Sequence, residues 1–160
     1  MASVSNRRLT EWGLVTLVVV ALMAAFGHQV RTVQSQAERA AVQTTLGALR
    51  TALVLSHVTG QVAGVQGAAA PAPSKNPFLL LKSVPVNFAG AHSMARADGM
   101  PLGAWVFDGE CVCVGYRLLY PDALDEPEAA ESVWFRVGGP AGALLITPLT
   151  RYVWQGQVVG

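Results

Sequence analysis

The chain has 160 residues, of which 52% are hydrophobic and 13% charged, and its net charge at pH 7 is +1. This balance indicates no overall electrostatic partner, so nucleic acid is not an expected ligand. If about fifty N-terminal residues form one extended element, roughly one hundred remain, enough for one small domain.

The first element is an almost unbroken apolar run, LTEWGLVTLVVVALMAAFG, over residues 9–27. At about 1.5 Å of rise per residue, a helix of this length can cross the hydrocarbon core of a membrane. The preceding tail, residues 1–8, carries Arg7 and Arg8, which favour a cytoplasmic location for that end. The rest of the chain is then predicted to be extracytoplasmic. A cleaved signal peptide ending near AAFG is the alternative, and it places the domain on the same side.

The helix is predicted to continue to residue 58, because the segment after His28 is rich in Ala, Leu, Gln and Arg and contains no proline. At about 1.5 Å per residue, a helix over residues 9–58 is roughly 75 Å long, which exceeds the width of a hundred-residue domain. Only its outer half can pack on its own domain, so the inner half is expected to contact lipid or other subunits. The outer half has an apolar stripe at helical spacing, Val42, Leu46, Leu49 and Leu53. The inner half has small residues that permit close helix packing but are common in any membrane helix, Ala21, Ala24, Ala25 and Gly27.

Residues 59–77 are predicted to form a linker, since they are dense in Gly, Ala and Pro, and residues 78–160 form the head. One β-hairpin is predicted from GAWVFD and CVCVGYRLLY, joined across Gly109 and Glu110, and a second from ESVWFRV and GALLITPL. RYVWQGQVV predicts a further edge strand. The segment from FLLLKS to DGMP begins with a short apolar patch and is then expected to be irregular. The predicted fold class is α+β, with a long N-terminal transmembrane helix packed on a small antiparallel sheet.

Several of these features resemble type IV pilin-like proteins, particularly the pseudopilins of type II secretion systems. The resemblance is carried by the apolar helix with Glu11 at its front, the continuation ERAAVQTTLGALRTAL, the segment NPFLLLKSVPVNFAG and the hairpin containing GAWVF. It implies a non-enzymatic, single-pass protein of the bacterial inner membrane with its C-terminal head in the periplasm and no cofactor. The implied partners are other pilin-like subunits and inner-membrane assembly proteins.

Glu11 is the residue to which the resemblance assigns a role. It aligns with a glutamate four residues beyond the start of the processed subunit, whose carboxylate is thought to meet the free amine of a neighbouring subunit. An ionised carboxylate costs about 2.5 to 3.5 kcal/mol at the bilayer midplane and less near the interface, so a cationic partner is favourable. The alternative role for Glu11 is to complement the helix macrodipole from the first turn, with Thr10 contributing to the cap.

The same alignment places the processing site between Asn6 and Arg7. The family normally has glycine before the cleaved bond and phenylalanine after it, and it usually has a kinking proline where this chain has His28. These departures disfavour cleavage and a role as major fibre subunit. They favour a subunit that is anchored but unprocessed, or one that serves as a minor or assembly component of a type II secretion pseudopilus or a type IV pilus.

Cys111 and Cys113 form an i, i+2 pair on a predicted strand, where their side chains point in parallel. Two buried free thiols are therefore expected. A strained bridge or an intermolecular bond in an oxidising periplasm is the alternative, which makes the two cysteines a candidate redox pair.

Other chemistry has weaker signals. The three histidines lie far apart, so no zinc site is predicted, and Ser93 beside His92 has no glycine elbow that would indicate a nucleophile. The run PDALDEPEAAE is predicted to be a solvated loop, with a calcium site as the weakly supported alternative. Its acidic residues are Asp122, Asp125, Glu126, Glu128 and Glu131.

Three functions fit these features: a structural subunit of an assembly, a membrane-anchored periplasmic binding module that acts outside any fibre, and a small exported enzyme. The predicted helix is longer than its own domain is wide, which favours the structural subunit.

Overall fold

The computed structural model describes residues 2–62, 76–125, 131–138 and 145–159, and within the N-terminal helix it describes the side chains of residues 10–58. Most of the predicted linker, residues 63–75, lies outside this part of the chain. The chain divides into two compact units, an inner unit of residues 1–37 and an outer unit of residues 38–160. Each unit is described by itself.

A single α-helix, α1, extends over Ala2–Val62. It begins at Ala2 instead of residue 9, and it ends at Val62 instead of residue 58. No proline occurs before Pro71, so every residue of the helix after its first turn has a backbone N–H for the i to i−4 hydrogen bond. The helical assignment continues through His28, where the resembling family has a kinking proline.

The outer unit contains a five-stranded sheet with the strand order β1-β2-β3-β4-β5. Both predicted hairpins are confirmed, because β2 pairs antiparallel with β3, and β4 pairs antiparallel with β5. β3 and β4 are antiparallel as well. The strands are β1 Phe88–Ala91, β2 Trp105–Asp108, β3 Cys113–Arg117, β4 Ser132–Val137 and β5 Ile146–Pro148.

Two elements differ from the prediction. β1 lies in the segment expected to be irregular, and it runs parallel to β2. The last run is not an edge strand of the main sheet; it folds back on itself as β6, Tyr152–Trp154, and β7, Gln157–Val159, in a separate two-stranded sheet. Its turn residues, Gln155 and Gly156, have φ angles of 48° and 72°, and positive φ at both positions is what a type I′ turn requires.

The outer half of α1 packs on one face of the sheet. The predicted apolar stripe is confirmed, because Val42, Leu46, Leu49 and Leu53 are all 3% exposed or less. These side chains share one core cluster with residues from the sheet, among them Trp105 and Phe135. Burial of one such side chain stabilises the fold by about 1.5 to 3 kcal/mol, so the stripe is a main source of attachment between helix and sheet.

The other face of the sheet carries a smaller apolar cluster of Met100, Val106, Cys113 and Trp134. Successive side chains of a strand point to opposite faces, which explains why Val106 lies in this cluster while its neighbour Trp105 lies in the main core. Ala97, from the 3₁₀ helix Met94–Gly99, packs against it.

Candidate assembly site

The inner unit presents an apolar surface along α1. Over residues 12–26, the large hydrophobic side chains are between 43% and 73% exposed. Within the described residues, α1 is the one helix long and apolar enough to cross a membrane, and none of its most apolar window is buried. A contiguous apolar surface of this kind is characteristic of a segment that contacts lipid or other proteins. The small residues Ala21, Ala24, Ala25 and Gly27 are exposed along the same segment.

Glu11 lies at the front of this surface, and its side chain is exposed. The prediction that it complements the macrodipole from the first turn, with Thr10 in the cap, is wrong. Because α1 begins at Ala2, its first turn contains no acidic residue, and Glu11 lies in the third turn. The dipole effect is confined to the terminal turn, so the start of the helix does not account for this carboxylate.

The candidate processing residues, Asn6 and Arg7, lie within the backbone of α1. Their side chains are outside the described ones, so the expectation that the departures from the family pattern disfavour cleavage between them stays a prediction.

A buried carboxylate, Glu38, ties α1 to the end of β3 in the outer unit. The residue is 6% exposed. Its Oε1 accepts hydrogen bonds from the Tyr116 hydroxyl at 3.0 Å and from the Leu119 N–H at 2.6 Å, and its Oε2 accepts one from the Tyr120 N–H at 3.2 Å. Three donors replace the water that a buried carboxylate loses. We call these four residues the Glu38 clasp.

The clasp changes the acidity of Tyr116. Burial, the negative charge of Glu38 and the hydrogen bond to Glu38 together raise the pKa of the Tyr116 phenol above its usual value of 10.0. Because the folded state holds this proton more tightly than the unfolded state, the phenol contributes stability that is fully present below about pH 10. That contribution is lost as pH rises further, through the pKa of the folded state.

Tyr116 is therefore expected to stay protonated at alkaline pH values at which an exposed tyrosine ionises. Phenolate absorbance can be titrated in the full-length protein and in Tyr116→Phe. The two absorbance curves should coincide up to the pH at which the protein unfolds, because the phenol of Tyr116 does not ionise in the folded state below that pH. An additional phenolate with an ordinary midpoint in the unsubstituted protein would contradict a closed clasp.

No family model, curated protein or solved structure matches this chain. Its architecture is pilin-like, with a long apolar N-terminal helix whose outer half packs against an antiparallel-rich β-sheet.

In the pilin-like head, Cys111 and Cys113 form a disulfide, so the expectation of two free thiols is wrong. β3 begins at Cys113, which leaves Cys111 in the preceding loop. Val112, between them, has a φ of 54°, in the left-handed region that a β-branched residue seldom adopts. This conformation breaks the regular alternation of a strand, and it places the two Cα atoms 5.3 Å apart, within the usual range for a bridge.

Asp108 holds the loop between β2 and β3. Its Oδ1 accepts a hydrogen bond from the Glu110 N–H at 2.8 Å, and its Oδ2 accepts one from the Met94 N–H at 2.7 Å. Burial alone would raise the pKa of this carboxyl, but backbone N–H groups and the nearby His92 stabilise the charged form, and the net shift is downward. Its stability contribution is therefore present at neutral pH and is lost as pH falls through the lowered pKa.

Ser93 and His92, the adjacent pair that the sequence does not favour as a nucleophile and base, each bond to a nearby backbone group. The Ser93 hydroxyl oxygen accepts from the Ala95 N–H at 3.4 Å and caps the 3₁₀ helix that follows. The His92 Nε2 lies 2.7 Å from the carbonyl oxygen of Arg96. These contacts give both side chains a local structural role.

The predicted acidic loop is described only in part, because Glu126 and Glu128 lie outside the described residues. Asp125 accepts a hydrogen bond from the Gly156 N–H at 2.5 Å, and Glu131 pairs with Arg117 at 2.6 Å. In the described part of the chain, no three His, Cys, Asp or Glu side chains gather where they could hold a metal ion. The alternative of a calcium site gains no ligand cluster there.

Proposed function

We propose that this chain is a non-enzymatic pilin-like or pseudopilin subunit that assembles through its N-terminal helix. It would reside in the bacterial inner membrane with a single span and a periplasmic head, as a minor or assembly component of a type II secretion pseudopilus or a type IV pilus. Its partners would be other pilin-like subunits and inner-membrane assembly proteins. The observation that carries the proposal is the exposed apolar surface over residues 12–26 of α1.

The two halves of α1 support different roles. The outer half fills the core of its own head, since the stripe from Val42 to Leu53 is almost fully buried. In the inner half, the large apolar side chains of residues 12–26 are exposed. A membrane anchor alone would explain this exposure, so the assembly proposal depends further on Glu11.

Glu11 places a carboxylate at the front of the apolar segment, and a helix that only anchors the protein in the membrane does not require a charge there. A carboxylate at the edge of an apolar span is costly in lipid, and a cation from a neighbouring subunit offsets that cost. Its position in the third turn removes the explanation based on the helix terminus. The exposed alanines and Gly27 behind it permit close approach of a second helix.

The test is crosslinking in the membranes of the host. A photoreactive residue in place of Val19, which is 43% exposed, reports helix neighbours in the full-length protein. Glu11→Gln removes the charge while keeping the side-chain length. It is expected to reduce crosslinking to pilin-like partners about tenfold, the equivalent of about 1.4 kcal/mol of contact energy.

Glu11→Asp is the matched control, because it keeps the carboxylate and should preserve most of the crosslinking. Membrane fractionation must show equal insertion of all three proteins. Equal crosslinking by Glu11→Gln and the unsubstituted chain would favour a solitary anchor. The intact mass of the extracted protein separates the remaining alternatives: a product that begins near His28 would indicate a cleaved signal peptide and would end the assembly proposal.

A further inference from the structure

The disulfide in the head has two sulfur atoms in unequal environments. Cys113 is 0% exposed, within the small cluster formed with Met100, Val106 and Trp134. Cys111 is half-buried at the margin of that cluster. Because Cys111 is the more exposed residue of the two, we expect a thiolate from solution to reach its Sγ before that of Cys113.

The disulfide is also expected to contribute little to the stability of the fold. It links residues only two positions apart, and in the chain-entropy account a crosslink stabilises less as the loop it closes becomes shorter. Hydrogen bonds already hold the same loop. Cys113 pairs in register with Asp108 of β2, and the Val137 N–H donates to the Val112 carbonyl oxygen at 2.9 Å. These bonds join backbone atoms and involve no cysteine sulfur, so opening the bridge removes none of their donors or acceptors.

We propose that Cys111–Cys113 is a thiol–disulfide exchange site that takes a dithiol reductant as its substrate, with Cys111 as the attacked residue. A thiolate of the dithiol bonds to the Sγ of Cys111, and the bond between the two cysteine sulfurs breaks. Cys113 leaves as a thiolate and takes up a proton. The second thiol of the reductant then loses its proton and attacks the reductant's first sulfur in the mixed disulfide. The bond from that sulfur to Cys111 breaks, and Cys111 leaves as a thiolate that takes up a proton. The dithiol becomes a cyclic disulfide, and the two cysteines become thiols.

This proposal does not depend on the assembly function. The probe is dithiothreitol, added to the full-length protein in detergent micelles under native conditions. Samples are quenched with acid, denatured and labelled with a maleimide, and the labels are counted by intact mass. Two labels per chain are expected while the circular dichroism of the head stays unchanged. Labelling that requires a denaturant during the dithiothreitol step would overturn the proposal.

Two single-cysteine variants test the asymmetry. Cys113→Ser leaves Cys111, and Cys111→Ser leaves Cys113. With oxidised glutathione as the probe, the Cys113→Ser variant should form its mixed disulfide at least about tenfold faster, because reaction rates follow the access of the thiol. Equal rates in two folded variants would overturn the assignment of Cys111. If either variant fails to fold, the dithiothreitol experiment on the unsubstituted protein decides alone.

Discussion

Replacing Glu38 with alanine is expected to lower the free energy of unfolding of the head by about 3 kcal/mol, a large loss for one side chain. The substitution removes the acceptor for the Tyr116 hydroxyl and for two backbone N–H groups, at Leu119 and Tyr120. Tyr116 is 4% exposed, so water does not readily replace the lost partner. Thermal unfolding of the full-length protein, followed by near-UV circular dichroism, should show a midpoint about 10 °C lower.

Two further variants show whether the loss comes from the clasp. Glu110→Ala removes an exposed glutamate, and its effect should stay within about 0.5 kcal/mol. Glu38→Gln keeps one acceptor oxygen but directs an amide donor toward a backbone N–H, so its loss should be intermediate. If Glu38→Ala unfolds at the same temperature as Glu110→Ala, the carboxylate does not hold the helix to β3.

The position of Glu38 was visible in the sequence, although its role was not. The stripe that begins at Val42 extends backwards by one helical step of four residues to Glu38, so a charged residue occupies an apolar position. Periodicity predicts that the residue at such a position faces the core. It does not predict which donors will meet it, because Tyr116, Leu119 and Tyr120 are about eighty residues away in the chain.

The strands likewise divide into those that neighbouring residues predict and those that depend on pairing with residues distant in the sequence. The hairpin of β2 and β3 was predictable because apolar runs flank a short turn signal. β1 consists of Phe88, two alanines and Gly90, which have little strand propensity, and its place beside β2 comes from tertiary pairing. The final hairpin does have a local signal, because Gly156 interrupts an otherwise continuous strand pattern.

The disulfide shows how one backbone angle can reverse an inference. Regular strand geometry across Cys111 and Cys113 argues against a bridge. The left-handed φ of Val112 removes that geometry, and residue type argues against such an angle, since β-branched residues avoid it. The conformation is set by the four-residue loop between paired Asp108 and Cys113, which the sequence indicates only as a turn of unspecified type.

Gly115 occupies a position in β3 where a side chain has no room. It pairs with Trp134 of the neighbouring strand β4. A Cβ atom at Gly115 would lie 2.6 Å from the indole ring of Trp134. The indole itself is fixed, because its Nε1 donates to the Ser132 hydroxyl at 3.0 Å and the residue is 4% exposed. The indole of Trp134 therefore lies over the backbone of β3 at Gly115. A methyl group at position 115 must displace the ring or the strand.

Gly115→Ala is accordingly expected to lower the free energy of unfolding by about 2 to 3 kcal/mol, since overpacking forces the ring or the strand to move. The matched control is Gly47→Ala on α1, where an added Cβ meets nothing within 4 Å. The same change there should raise stability by about 0.5 to 1 kcal/mol, because alanine is the better helix former. Thermal unfolding of both variants measures the contrast, and the loss of the Trp134 near-UV signal should accompany the first. A Gly115→Ala protein as stable as the Gly47→Ala protein would mean that the indole does not lie over β3.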